Sequence, residues 1–209
     1  MAGWSLHTGM ACALATENID TDQLIPARFM STPRVQGYGG FLLHDQRFDE
    51  DHNPVPDMAL NRHPGTSVLI ARRNFGSGSS REAAVYALVD FGIKAVIAPS
   101  FGDIFAGNAV NNGLLPAQVG AETVEQLIAA LGGDAAAAQI DLETGQATIG
   151  AQTIDFQLDP VFRLKLMNGW DDIDLTRQDA PAIAAFQKRR HAQVPWAWPA
   201  RDLAATSDG

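Results

Sequence analysis

Apolar positions along the chain fall into three patterns. The first is short, unbroken and rich in small or β-branched residues. Ser67-Val68-Leu69-Ile70-Ala71 and Lys94-Ala95-Val96-Ile97-Ala98 both read as buried strands. The second has helical spacing. Ala83, Ala84, Ala87 and Leu88 follow the first of these strands, and Phe91-Gly92 stops the run with glycine as a C′ residue. Ser79 and Glu82 stand in capping-box register and put the helix start at Ser79. Strand, helix and strand form a βαβ unit, hence a parallel pair with a right-handed crossover. A second loop-to-helix passage runs from about Asp103 to Asn112, and an amphipathic helix spans Glu122 to Leu131 before Gly132-Gly133.

The third pattern alternates. Gln139-Ile140-Asp141-Leu142, Ala147-Thr148-Ile149 and Thr153 to Leu158 predict a small antiparallel meander with one wet face. Residues 5–16 read as a further strand, with His7 structural or exposed. Asp159-Pro160 opens a helix as N-cap and N1, and that helix ends at Asn168-Gly169. Pro181 starts a last helix, through about His191. The fold class is α/β, a parallel βαβ core joined to a small antiparallel meander. Residues 1–191 read as one domain, and 192–209 as an extended tail in which Trp196 and Trp198 either dock on a partner or end the chain loosely.

Residues 27–65 carry no period. Glycine and proline recur there, and Asp57 to Asn61 reads as one short helical turn. A structureless stretch this long in a compact domain is a functional or mobile loop. His44, His52 and His63 lie in it without metal-ligand spacing and read as surface histidines.

Candidate chemistry concentrates between the first two buried strands, in Arg72-Arg73-Asn74-Phe75-Gly76-Ser77-Gly78-Ser79-Ser80-Arg81-Glu82. A helix start presents unpaired N–H groups and partial positive charge. Glycines let the backbone approach a bound group, and Arg81 offers a planar fork suited to a carboxylate. The stretch is a candidate anion site with two hydroxyls in it; a capped helix with a surface arginine is the structural alternative. No Gly-Lys-Ser/Thr follows the glycines, the third glycine position of a dinucleotide fingerprint holds Arg81, and G-x-S-x-G is absent. Strand ends in such folds gather ligands, so Ser100 and Asp103 are expected to face the same region as Ser79 and Arg81, with Asp103 as a cap of its own helix the favoured alternative to direct chemistry. Upstream, Asp20 and Asp22 are turn formers or caps, or Asp22 pairs with a nearby arginine or serine.

Composition narrows the partners. The chain has 209 residues, 46% hydrophobic and 19% charged, which supports a packed core. The net charge of −9 argues against a general nucleic-acid surface and makes any attraction for an anion local. Arg72, Arg73 and Arg81 around one loop are the candidates for it. One cysteine, Cys12, excludes an intrachain disulfide and a cysteine-ligated cluster built by this chain alone. Neither a signal peptide nor a membrane-length apolar run is evident, and the expected location is cytoplasmic.

Three segments resemble one family. They are Asn18-Ile19-Asp20-Thr21-Asp22-Gln23-Leu24-Ile25-Pro26, then Asn74 to Glu82, then Ala98-Pro99-Ser100-Phe101-Gly102-Asp103-Ile104-Phe105 with Asn111-Asn112-Gly113-Leu114-Leu115-Pro116. They are similar to the small subunit of 3-isopropylmalate dehydratase, a relative of the swivelling domain of aconitase, over residues 5–190. The resemblance implies a swivelling β/β/α fold and a two-chain hydro-lyase of leucine biosynthesis, isomerising 2-isopropylmalate and 3-isopropylmalate by dehydration and rehydration. It implies a large subunit that carries a 4Fe-4S cluster, with none bound by this chain, and a small hydroxy-dicarboxylate substrate. It makes Ser79 the catalytic base and Ser80 and Arg81 substrate-binding, with Thr21, Asp22 and Arg34 near the substrate; Arg34 lies in a segment, Arg28 to Gly40, that resembles the family's specificity loop. The family usually has cysteine at 77 and histidine at 83, where this chain has Ser77 and Ala83. Those departures suit a paralogue acting on a citramalate, a dimethylmalate or malate. A non-catalytic anion-binding module is the reading from another class.

Overall fold

The structure, a computed structural model, describes residues 2–198. Packing divides the chain into two compact units, Met1–Asp171 and Asp172 onward.

The first unit is built on a seven-stranded sheet. In chain order its elements are β1 (Leu6–Leu14), α1 (Thr21–Leu24), α2 (His44–Arg47), α3 (Ala59–Arg62), β2 (Thr66–Ala71), α4 (Glu82–Phe91), β3 (Ala95–Ala98), α5 (Asp103–Asn111), β4 (Leu115–Gln118), α6 (Ala121–Leu131), β5 (Ala136–Asp141), β6 (Gln146–Ile149), β7 (Gln152–Asp155) and α7 (Pro160–Asn168). The strand order is β4-β3-β2-β1-β5-β6-β7. Strands β1 to β4 pair in parallel, while β1–β5, β5–β6 and β6–β7 are antiparallel. The mixed α/β class and the parallel-plus-meander division expected from the sequence are both present.

The period of two in β2 separates two cores. Leu69 and Ala71 face Cys12, Val96 and Ala98 under α4, whose Ala84, Val85, Ala87 and Leu88 are buried there. Val68 and Ile70 face the opposite layer, with Val124, Leu127 and Leu131 of α6 and Leu166 of α7. Burial on both faces explains why β2 and β3 read as unbroken apolar runs. The meander keeps one face wet, and its strands alternate accordingly.

Strand β4 has no counterpart in the sequence reading. It is four residues long and contains Pro116, which weakens any strand signal. The structure tolerates that proline because β4 is the edge of the sheet, where a missing N–H need cost no ladder bond.

The start of α4 also differs. The helix begins at Glu82, with Arg81 at the N-cap in extended conformation and no side-chain cap. The Ser79–Glu82 capping box does not form, because the Ser79 backbone is engaged elsewhere. The helix ends at Gly92 as expected, at φ 110°. Asp159 caps α7 as expected, accepting from the N–H groups of Val161 and Phe162.

The long loop is packed down rather than loose. Leu42, Leu43 and Leu60 are fully buried in the core under α4. The Arg47 guanidinium donates to Asn61 Oδ1 at 3.0 Å and to the Leu42 carbonyl at 3.2 Å, tying α2 to α3.

The second unit contains α8 (Asp172–Arg177) and α9 (Ala180–Gln193), with a short 3₁₀ turn at Pro195–Ala197. The sequence reading missed α8 and ended the last helix two residues early. Trp196 is exposed, and the Trp198 ring stacks on His191 with centroids 4.0 Å apart. The rest of the expected tail, 199–209, lies outside the described residues. The division at 171/172 falls twenty residues before the one expected at 191/192. Among the described residues, no helix is long and apolar enough to cross a membrane.

Candidate functional site

The chain leaves the carboxyl ends of β1, β2 and β3 as three extended segments, and backbone hydrogen bonds lace them together. The Gly76 N–H donates to the Ile19 carbonyl at 2.7 Å, and the Thr21 N–H to the Ser77 carbonyl at 2.9 Å. On the other side, Phe75 N–H donates to the Ser100 carbonyl and Gly102 N–H to the Phe75 carbonyl, at 3.1 and 3.0 Å. The glycine-serine loop is therefore the middle rung of three.

Glycine is required where the rungs close up. Gly76 has φ 71°, and a Cβ there would stand 2.2 Å from the Phe105 ring. A Cβ on Gly102 would meet the Gly76 carbonyl oxygen at 2.6 Å. Gly76→Ala is expected to lower stability by about 2–4 kcal/mol, from left-handed backbone strain plus overpacking. Thermal unfolding should show a fall of roughly 5–15 °C; an unchanged melting temperature would mean that Phe105 moves aside freely.

Beside this loop lies a cleft of about 210 Å³, lined by Gly76, Ser77, Gly78, Ser79, Gly102, Asp103, Ile104 and Phe105. Ser79 and Ser80 are exposed. Asp103 joins Ser79 in lining the cleft and, against the favoured reading of it as a cap, does not cap its own helix, whose N-cap is Gly102. Ser100 accepts the Asn74 N–H on its hydroxyl at 2.9 Å and lines a larger neighbouring cleft, which Asp103 also lines.

The short helix α1 supplies two contacts. Asp22 forms an ion pair with Nη1 of Arg81. Thr21 is buried, and its hydroxyl accepts from the Ser79 N–H and donates to the Ser79 carbonyl, both at 3.1 Å. Thr21 is thus not presented to the cleft as a substrate-binding group. Asp20, the other candidate cap, does cap α1 in a capping box with Gln23.

The expected three-arginine field does not assemble. Arg72 donates Nε and Nη2 to the Glu125 carboxylate at 2.7 and 2.9 Å, and these hydrogen bonds, helped by the arginine's charge, hold that carboxyl below its usual range. Arg73 donates to Glu17 at 2.9 Å. Arg81 alone of the three stands with the serines. Arg34 is held elsewhere: its guanidinium lies 3.6 Å over the Tyr86 ring, and Nη2 is 3.4 Å from Asp90 Oδ1. The Tyr38 N–H also donates to Asp90 at 2.9 Å, so the Arg28–Gly40 segment is tied to the outer face of α4. Gly39 packs against the Asp90 carbonyl in the same place.

The two departures from the family pattern have different surroundings. Ser77 lines the cleft, while Ala83 packs against the core under α4. Cys12 is fully buried in β1, and burial pushes its thiol above the ordinary range. Its position does not fit a ligand for an iron–sulfur cluster. Among the described residues, no group of three or more His, Cys, Asp or Glu could hold a metal.

Residues 1–122 match the aconitase C-terminal domain family, and residues 172–199 match the C-terminal domain of the 3-isopropylmalate dehydratase small subunit. The 3-isopropylmalate dehydratase small subunit of Rhodospirillum centenum is 42% identical over 201 residues, covering 94% of this chain and 99% of that one. The chain belongs to the 3-isopropylmalate dehydratase small-subunit family. A second relative of the same name, from Shewanella oneidensis, is 44% identical over 202 residues, covering 93% of this chain and 98% of its own. A solved structure of 3-isopropylmalate dehydratase from Methanocaldococcus jannaschii superposes with a TM-score of 0.62 at 26% identity, covering 86% of this chain and 98% of that one. The fold and the family expected from the three segments are therefore both established.

Proposed function

We propose that the chain is the small subunit of a cytoplasmic 3-isopropylmalate dehydratase, a hydro-lyase interconverting 2-isopropylmalate and 3-isopropylmalate in leucine biosynthesis. The observation that carries this is whole-length similarity: relatives of that name align over 93–94% of this chain. The large subunit would hold the 4Fe-4S cluster, since the residues of this chain do not fit one.

The chain's own contribution follows from its side chains. Arg81 would grip a substrate carboxylate, with Ser80 beside it. The Ser79 side chain, as the base, would take the proton from the carbon next to that carboxylate. Negative charge then builds on the carboxylate, where Arg81 and the N-terminus of α4 stabilise it. The ground-state grip and the transition-state grip involve the same guanidinium, so binding and rate are linked through it.

Ser77 in the cleft supports a second reading, a paralogous subunit acting on a citramalate-, dimethylmalate- or malate-type diacid. Combining the purified chain with a purified cluster-bearing large subunit tests both. The chain alone is expected to be inactive, and the complex to interconvert the isopropylmalates. A complex that turns over one of the smaller diacids and ignores isopropylmalate would select the second reading. Carboxylate binding without any partner, and no turnover with one, would select the anion-binding module.

A further inference from the structure

We propose that Thr21 is a positioning residue for Ser79, an inference that rests on Ser79 being the base. The two residues are 58 positions apart, yet one hydroxyl spends both its donor and its acceptor on the same residue's backbone. The Ser79 N–H donates to Thr21 Oγ1, and Thr21 Oγ1 donates to the Ser79 carbonyl, each at 3.1 Å. The Thr21 N–H holds the Ser77 carbonyl at 2.9 Å, so both ends of the Ser77–Ser79 turn are anchored on one residue. Between them, Gly78 has φ 97°, and a Cβ there would lie 3.5 Å from Thr21 Oγ1. This turn carries its own flexible glycine, and Thr21 removes that freedom.

Thr21 is itself fixed. It is 1% exposed, between the Asp20 cap and the fully buried Leu24 and Ile25. Its β-branched side chain has few rotamers to explore. The buried hydroxyl puts its two hydrogen bonds on the Ser79 backbone, where they serve to orient it. They set the direction in which the Ser79 side chain leaves the backbone, and a misplacement of about 1 Å in such a group costs up to roughly a hundred-fold in rate.

The test compares Thr21→Val, Thr21→Ser and Ser79→Ala in the reconstituted two-subunit enzyme, with kcat, KM, melting temperature and the affinity between the two chains measured for each. Valine keeps the shape and removes both hydrogen bonds; serine keeps the hydroxyl. Thr21→Val is expected to lower kcat about ten-fold while KM stays within about two-fold, since the substrate grip is untouched. Thr21→Ser is expected to recover most of that loss. If Thr21→Val does not fold, Thr21→Ala against Thr21→Ser gives the same comparison. Equal losses in the serine and apolar variants would reduce Thr21 to packing and overturn the inference, as would a rise in KM with kcat unchanged. Normal turnover by Thr21→Val beside an inactive Ser79→Ala would overturn it alone. Normal turnover by Ser79→Ala would overturn the assignment of the base and this inference with it.

Discussion

Ser79→Ala is expected to remove nearly all turnover from the reconstituted enzyme and to leave the small chain as stable as before. Loss of a positioned proton-transfer group lowers rates about 10²–10⁴-fold. At about 1.4 kcal/mol per factor of ten, that is roughly 3–6 kcal/mol on the barrier. The structure makes the stability half of the prediction sharper than the sequence could. A serine at the N-cap of α4 would contribute about 1 kcal/mol as a cap, and its loss would cloud the kinetics. The N-cap is Arg81, and Ser79 is exposed two residues before it. Alanine keeps the backbone N–H and carbonyl that Thr21 holds, so the turn should keep its shape. The change in unfolding free energy should stay within about 0.5 kcal/mol, as for other exposed substitutions. A kcat measurement beside a thermal melt separates the two effects. A variant that assembles with the large subunit and turns over at the wild-type rate would take Ser79 out of the mechanism.

Features governed by near neighbours in sequence were legible, and those governed by distant ones were not. The two buried strands, the Gly92 stop, the alternating meander and the Asp159-Pro160 helix start each depend on residues a few positions apart. All of them appear where expected. The start of α4 shows the opposite case. Ser79 and Glu82 have the local pattern of a capping box, but Thr21, far upstream, takes the Ser79 backbone first. The anion field was misjudged for the same reason, because Glu125 and Glu17 neutralise Arg72 and Arg73 from other elements. Residues 27–65 have no period because their buried leucines, the adjacent Leu42 and Leu43 and the distant Leu60, enter the core from short turns rather than from one long face. Pro116 hid β4, since only the finished strand order reveals that β4 is an edge. At the site, the Asn18–Pro26 and Asn74–Glu82 motifs were each visible, and the Asp22–Arg81 pairing was among the options. What could not be read was which side of α1 faces inward.

Arg81→Lys is expected to lower kcat/KM by roughly ten- to a hundred-fold. The guanidinium has five N–H donors in a planar fork, and Nη1 is already on Asp22. Its side chain is 21% exposed, so the fork is largely fixed while one edge can still meet solvent. That geometry lets one arginine keep Asp22 and also present two parallel N–H groups to a substrate carboxylate. Lysine keeps the charge but offers a compact ammonium without the planar fork. It would hold either Asp22 or the substrate well, and the second bond of the two-point grip is lost in any case. Hydrogen bonds to charged groups contribute about 1.5–3 kcal/mol, which converts to the stated range at about 1.4 kcal/mol per factor of ten. The loss should appear in KM, and also in kcat to the extent that the grip tightens as charge builds on the carboxylate. Asp22→Asn separates the roles of the pair. It frees the guanidinium while keeping an acceptor nearby, so a smaller effect than that of Arg81→Lys is expected. Steady-state kinetics of the assembled enzyme decide the matter. If Arg81→Lys matches the wild type, the Asp22–Arg81 pair is a surface ion pair of the kind that contributes about 0–1 kcal/mol, and the carboxylate grip has to come from another cation of the complex.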